Sequence, residues 1–217
     1  MEFFKRLFSR SGSQGIQVPP IPDGPLGLGK GVIVNIDPGL KLLLDGTSTV
    51  SIPVVQQAFA QGVIDLGQSN WLTRLYLDDQ DYWLQVHSTG SRDGQVEALV
   101  LFNYQDSQAV HSNAELARIA GPQSKIGLPT VEHEGKTYQR EWGESDGQTD
   151  LVEFVERVSN PNESYEVKHL AMLYTRDIGL TGRKELLLYS VEEDLEGAVS
   201  VSTSLGVTLF TTDLQTI

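Results

Sequence analysis

The sequence predicts an α+β fold dominated by antiparallel sheet, with about ten short strands, two short helices in the body and an amphipathic helix at the N-terminus. Three observations carry that prediction. The stretch 71–104 is a dense run of strand-like sequence, WLTRLYL, YWLQV and VEALVLFNY, interrupted by Asp78-Asp79-Gln80-Asp81 and by the polar Ser88–Gly94, so it reads as a three-stranded meander. In its third strand Val96, Ala98, Val100, Phe102 and Tyr104 are apolar, and so are the intervening Leu99 and Leu101, which places both sheet faces under cover near the middle. Short apolar alternations between Gly- and Asp-containing turns then recur to the C-terminus.

Composition bounds what such a fold can do. The chain has 217 residues, 39% of them hydrophobic, so a core of ordinary size is available. Sixteen Lys and Arg against 29 Asp and Glu give a net charge of −13, which argues against a general nucleic-acid binder, since that role needs basic surface. The absence of cysteine excludes disulfides, thiolate metal sites and a cysteine nucleophile. No run approaches the roughly 18 to 20 apolar residues of a membrane span, and residues 1–13 lack the apolar stretch of a secretory signal, so the expected location is cytoplasmic.

Residues 1–12 differ from everything that follows. Phe3, Phe4, Leu7 and Phe8 fall at helical spacing, with Lys5, Arg6 and Arg10 on other faces. These three cations less Glu2 give +2, leaving −15 for the remaining 207 residues. The pattern fits an interfacial helix whose rings enter the headgroup boundary of an anionic membrane; it equally fits a helix docked on its own domain or on a second copy, or a disordered end. Residues 13–31 form a Gly/Pro linker. Within it Gly24-Pro25-Leu26-Gly27-Leu28-Gly29-Lys30-Gly31 nearly spells a phosphate-cradling loop, but Gly31 stands where a hydroxyl is needed and a β-branched run follows where a helix is required. No cofactor is expected.

The body divides into a β-rich lobe at 32–120 and a second at 121–217, which together could form one domain. Val32–Ile36 and Lys41–Leu44 flank the turn Asp37-Pro38-Gly39 and predict a hairpin. Pro53 opens PVVQQAFAQG, with Gly62 as a stop, and predicts a short helix. The meander follows. Ser112 can cap a second helix over 114–120, ended by Gly121-Pro122. TVEH and KTYQREW predict a hairpin about Glu134-Gly135, and 151–158, whose apolar spacing fits helix or strand, is read as a strand. Tyr165–Arg176, Lys184–Glu192 and Ala198–Phe210 complete the strands. A faint echo between the RLYL and MLYT segments allows two related lobes.

No compact set of residues declares a reaction. His87, His111, His133 and His169 are far apart, and in a strand Glu132 and Glu134 face away from His133, so no metal is expected there. Asp78-Asp79-Gln80-Asp81 lacks the glycine and distal glutamate of a calcium loop and reads as a solvated turn. Glu192-Glu193-Asp194 with Glu196 reads as a charged loop, a basic partner's footprint being the sharper reading. Arg140-Glu141-Trp142, Arg176-Asp177 and Arg183-Lys184-Glu185 fit ion pairs across strands as well as they fit a site. The meander aromatics Trp71, Tyr76, Tyr82, Trp83 and Phe102 lie on both strand faces, in keeping with packing or with an aromatic pocket.

Several segments taken together, QGVIDLG at 61–67, LTRLY at 72–76, WLQV at 83–86, IGLP at 126–129, YQR at 138–140 with Trp142-Gly143, MLY at 172–174 and 185–193, resemble the YjfK-like family of uncharacterised bacterial proteins, a domain of unknown function. The likeness runs from about residue 30 to the end and brings no catalytic residues with it. It implies a cytoplasmic bacterial protein, peripheral on the inner membrane, encoded beside phage-shock-type membrane coat proteins. The expected role is a non-enzymatic accessory protein that tethers an acidic body to a membrane surface or membrane-remodelling partner through Phe3, Phe4, Lys5, Arg6, Leu7, Phe8 and Arg10. The alternatives are a soluble binding or homo-oligomeric assembly module, and an enzyme with a site between the lobes.

Overall fold

The computed structural model describes residues 24–79 and 81–216. The helix expected at 1–12, and with it Phe3 through Arg10, lies outside the described residues. Twelve strands and two short α-helices are present: β1 (Ile33–Ile36), α1 (Pro38–Leu44), β2 (Gln56–Gly67), β3 (Asn70–Leu77), β4 (Tyr82–Thr89), β5 (Gln95–Val110), α2 (Asn113–Ala120), β6 (Thr130–His133), β7 (Lys136–Arg140), β8 (Val152–Ser159), β9 (Ser164–Asp177), β10 (Lys184–Glu193), β11 (Val199–Leu209) and β12 (Leu214–Thr216). Single 3-10 turns sit at Pro25–Gly27 and Thr211–Asp213.

Eight strands close on themselves in the order β2-β3-β4-β5-β11-β10-β9-β8, every neighbour antiparallel, and β8 returns to β2. Closure removes the exposed edges that an open sheet would present. The two stretches read as lobes contribute four strands each and meet along β5–β11 and β2–β8. Beyond the ring, β1 and β12 extend from the first residues of β2, and β7 and β6 extend from the end of β9.

Strand alternation sorts the apolar residues onto two faces. The inner face draws on all eight strands, among them Ile64, Leu72, Trp83, Phe102, Leu188, Ala171 and Phe154, and is buried by the strands themselves, with Trp142 packed against one end. The outer face, including Leu75, Leu84, Leu101, Leu205, Leu187 and Met172, is buried beneath Leu28, Leu40, Leu44 and Val50 from the N-terminal segment and Ile126, Val131 and Tyr138 from the β5–β9 connection. Both faces of the central meander are therefore covered, as its sequence predicts.

Two local expectations are corrected. Residues 41–44 are not the second arm of a hairpin; they belong to α1, because Asp37 caps the helix by accepting from the Gly39 amide at 2.8 Å, Pro38 sits in the first turn, and Leu40 and Leu44 bury one side. Residues 53–61 are not a helix. Most of that stretch is β2, where Ala60, Gly62 and Ile64 take alternate inward positions and ring closure outweighs local propensity. The helix at 113–120 stands as expected, with the Ser112 hydroxyl accepting from the Glu115 amide at 3.2 Å.

Candidate functional site

The inner face is not uniformly apolar. Arg74 lies between Leu72 and Tyr76 on β3, and its guanidinium rests 4.7 Å from the centre of the Trp83 ring and 5.5 Å from that of Phe154. Its Nη1 donates to Glu156 Oε2 at 2.8 Å. The Tyr76 hydroxyl donates to Glu156 Oε1 at 2.8 Å, and His169 Nε2 lies 3.0 Å from Oε2. The second imidazole nitrogen of His169 meets Ser190 Oγ at 3.0 Å while its ring stacks on Phe154, and Gln85 Oε1 accepts from Arg74 Nε at 3.1 Å. Arg74 is 4% exposed and Glu156 0%, so this is a charge cluster sealed inside the barrel.

The space for it is made by β2. Gly62 stands between Arg74 and Val158 in the ladder, and a Cβ there would fall 1.6 Å from Glu156 Oε1. The carboxylate therefore occupies the place of a missing side chain.

Burial alone would favour the protonated acid, but Arg74, His169 and Tyr76 together outweigh it and hold Glu156 down to about 2. Glu192, nearer one end of the lumen, behaves in the opposite sense. Burial raises it, and His169, the hydrogen bond from Ser202 Oγ at 2.8 Å and Arg74 only partly compensate. Burial and the nearby carboxylate push the Tyr76 hydroxyl well above its ordinary value, and Tyr104 is raised by burial and by Tyr76. Trp83 stacks on Phe102 at 4.1 Å, and its Nε1 has no acceptor among the described residues.

A second buried carboxylate lies on the outer face. Glu185 accepts from Arg176 Nε at 2.7 Å, from Tyr138 Oη at 2.6 Å, from the Thr49 amide at 3.0 Å and from Ser48 Oγ. Burial works to raise its pKa, but these donors lower it on balance. Since Ser48 and Thr49 precede β2 and Tyr138 belongs to β7, Glu185 fastens both covering segments to the barrel wall.

The remaining residues weighed from the sequence fall into place. Arg140 donates to the carbonyls of Gly127, Ser145 and Gly147 and fixes the loop before β8, and Arg183 pairs with Asp213 at 2.7 Å. Glu132 and His133 lie on β6 and Glu134 forms its turn; no group of three metal-ligating side chains occurs among the described residues. In the β3–β4 turn, Asp78 and Asp79 accept from the amides of Gln57 and Asp81. A cleft of about 490 Å³ opens on the outer face beside α2, lined by side chains that include Arg118, Lys125, Gln108, Glu132, Tyr189 and Thr203. Burial and the neighbouring Tyr174 push Tyr189 up to about 12.

Fold and site together define a β-barrel protein whose interior is occupied by its own ionic and aromatic side chains. The chain belongs to the family described as Protein of unknown function (DUF2491), whose family model matches residues 3–215. Membership of an uncharacterised family is what the sequence resemblance implied. No curated protein and no solved structure matches the chain.

Proposed function

We propose that this protein is a non-enzymatic accessory module that holds an acidic barrel at a membrane surface, or on a membrane-remodelling partner of the phage-shock coat type, through residues 3–10. It acts in the cytoplasm, peripheral to the inner membrane. The reading is carried by one observation: a segment of charge +2 bearing Phe3, Phe4, Leu7 and Phe8 is joined to a body that holds the other −15. Support comes from the attachment of the body to its linker. Leu28 is fully buried and the Gly24 amide donates to the Leu28 carbonyl at 2.7 Å, so the linker meets the barrel at a fixed point on its wall.

The magnitudes describe a weak, reversible anchor. Four apolar side chains contribute at most about 1.5 to 3 kcal/mol each and basic residues near anionic lipid about 1 kcal/mol each. Ordering some nine residues costs about 1 to 2 kcal/mol apiece. Co-sedimentation with anionic vesicles should deplete the full chain and leave behind a chain beginning at residue 14; equal depletion of both removes the membrane role.

A second reading, self-assembly, is favoured by Leu42 and Val54, each 80% exposed on the N-terminal segment. In that case Phe4→Glu lowers the mass seen by light scattering. An unchanged mass counts against it.

A further inference from the structure

We propose that, away from a membrane, residues 3–8 of the same chain seat on one end of the barrel, across Phe59, Tyr76, Tyr104 and Tyr165, so that barrel and membrane compete for a single segment. This rests on the tether reading and supplies its off state. The end in question is where β3 passes to β4, β8 to β9 and β10 to β11.

Half-buried rings gather there. Phe59, Tyr76 and Tyr165 pack about the buried Ala60, Val158 and Val167, and Tyr104 lies 6.2 Å from the Trp83 ring. Phe59 joins this face through an irregularity: Ala58 pairs with Leu77 and Ala60 with Tyr76, so Phe59 is an extra residue in the ladder. Such bulges at barrel rims re-aim a side chain, here toward the other aromatics. The opposite end differs, being packed by Trp142 against Leu186 and its neighbours.

Charge distinguishes the ends further. The three connections at the aromatic end, residues 78–81, 160–163 and 194–198, carry six carboxylates (Asp78, Asp79, Asp81, Glu163, Asp194 and Glu196) and no Lys or Arg. The three short connections at the far end, residues 68–69, 90–94 and 178–183, carry Arg92 and Arg183 against Asp93. A cationic segment with an aromatic face is complementary to the first end and not to the second.

The linker permits the contact. Gly24 packs where a side chain would meet Gln61 and Thr73, and Gln61 is the residue after Ala60 on β2. Residues 11–23 reach roughly 40 Å when extended, several times what is needed to return from that point to the aromatic rim.

The cysteine-free chain allows a direct test by paired spin labels in the full-length protein. Ser9→Cys is combined with Asn162→Cys at the aromatic end or with Thr181→Cys at the far end, and distances are read by pulsed electron resonance with and without phosphatidylglycerol vesicles. The ends lie about 20 Å apart, from strands of roughly six residues at ~3.3 Å per residue. A narrow, short distance to position 162, a longer one to 181, and loss of the short distance on adding vesicles support the proposal. A short distance that vesicles leave in place, without vesicle binding, keeps the seat but removes the tether. Broad and equal distances to both positions, with vesicle binding intact, overturn the seat and leave the tether standing. A short distance that disappears on dilution with unlabelled chain assigns the contact to a second copy and also overturns it.

Discussion

Replacing Glu156 by Gln tests whether the lumen cluster holds the barrel together. The side chain keeps its size, but the charge that compensates Arg74 is removed, and Arg74 remains 4% exposed with no water to turn to. Breaking a buried pair in this way costs about 3 to 5 kcal/mol. The depressed acidity gives an independent figure: a folded value of about 2 against an ordinary 4.5 is a gap of about 2.5, worth about 3 kcal/mol at about 1.4 kcal/mol per pH unit. Because the folded value is the lower one, this stability is complete above about pH 4.5 and is lost as pH falls toward 2. Urea melts at neutral pH should therefore show the variant less stable by about 3 kcal/mol, and a pH series should show the wild type losing that advantage as the solution is acidified toward pH 2. A loss below about 1 kcal/mol at neutral pH, the size expected of a solvent-screened pair, refutes the assignment of the cluster as a dry, compensated site. Pairing Glu156→Leu with Arg74→Met should restore much of the loss, since an apolar replacement of both partners strands no charge.

Gly62→Ala should expel the Glu156 carboxylate, whose Oε1 lies 1.6 Å from the added Cβ position, and lower stability by about 2 to 4 kcal/mol. Combined with Glu156→Gln the two losses should fall well short of their sum, which thermal melts of the double variant would show; full additivity would separate the sites. Ser112→Ala should cost about 1 kcal/mol through loss of the cap. None of the residues of α2 is buried, so amide exchange should quicken across 113–120 while β3 and β4 keep their protection.

The meander was legible because its signals are local: turn residues at short intervals and apolar residues on both alternations. The hairpin about Glu134-Gly135 and the strand at 152–159 were legible for the same reason. Residues 53–61 misled because Pro53 and Gly62 carry ordinary helix-boundary signals, whereas Gly62 is present for the carboxylate of Glu156, 94 positions further on. Residues 41–44 misled because Asp37-Pro38-Gly39 serves a turn and a capped helix equally well. The lumen cluster left one faint trace, charged residues at Arg74 and Glu156 on the apolar alternation of otherwise strand-like runs. Their pairing depends on which strands become neighbours, and that is settled only by closure of the ring.

The seam between β2 and β8 has four residue pairs, Gln61 with Ser159 through Ile64 with Glu156, whereas β10 and β11 share nine. It joins segments almost a hundred positions apart, and such long-range pairing carries a high loop-closure cost. The meander and the β9–β10–β11 run can each assemble from nearby sequence, which makes this seam the natural final step of folding and the first place to part. Arg74 and Glu156 stand on either side of β2 at that seam, so their attraction acts as a clasp across the join. Loosening it would open the cylinder into a curved sheet and give the inner aromatics their first contact with water.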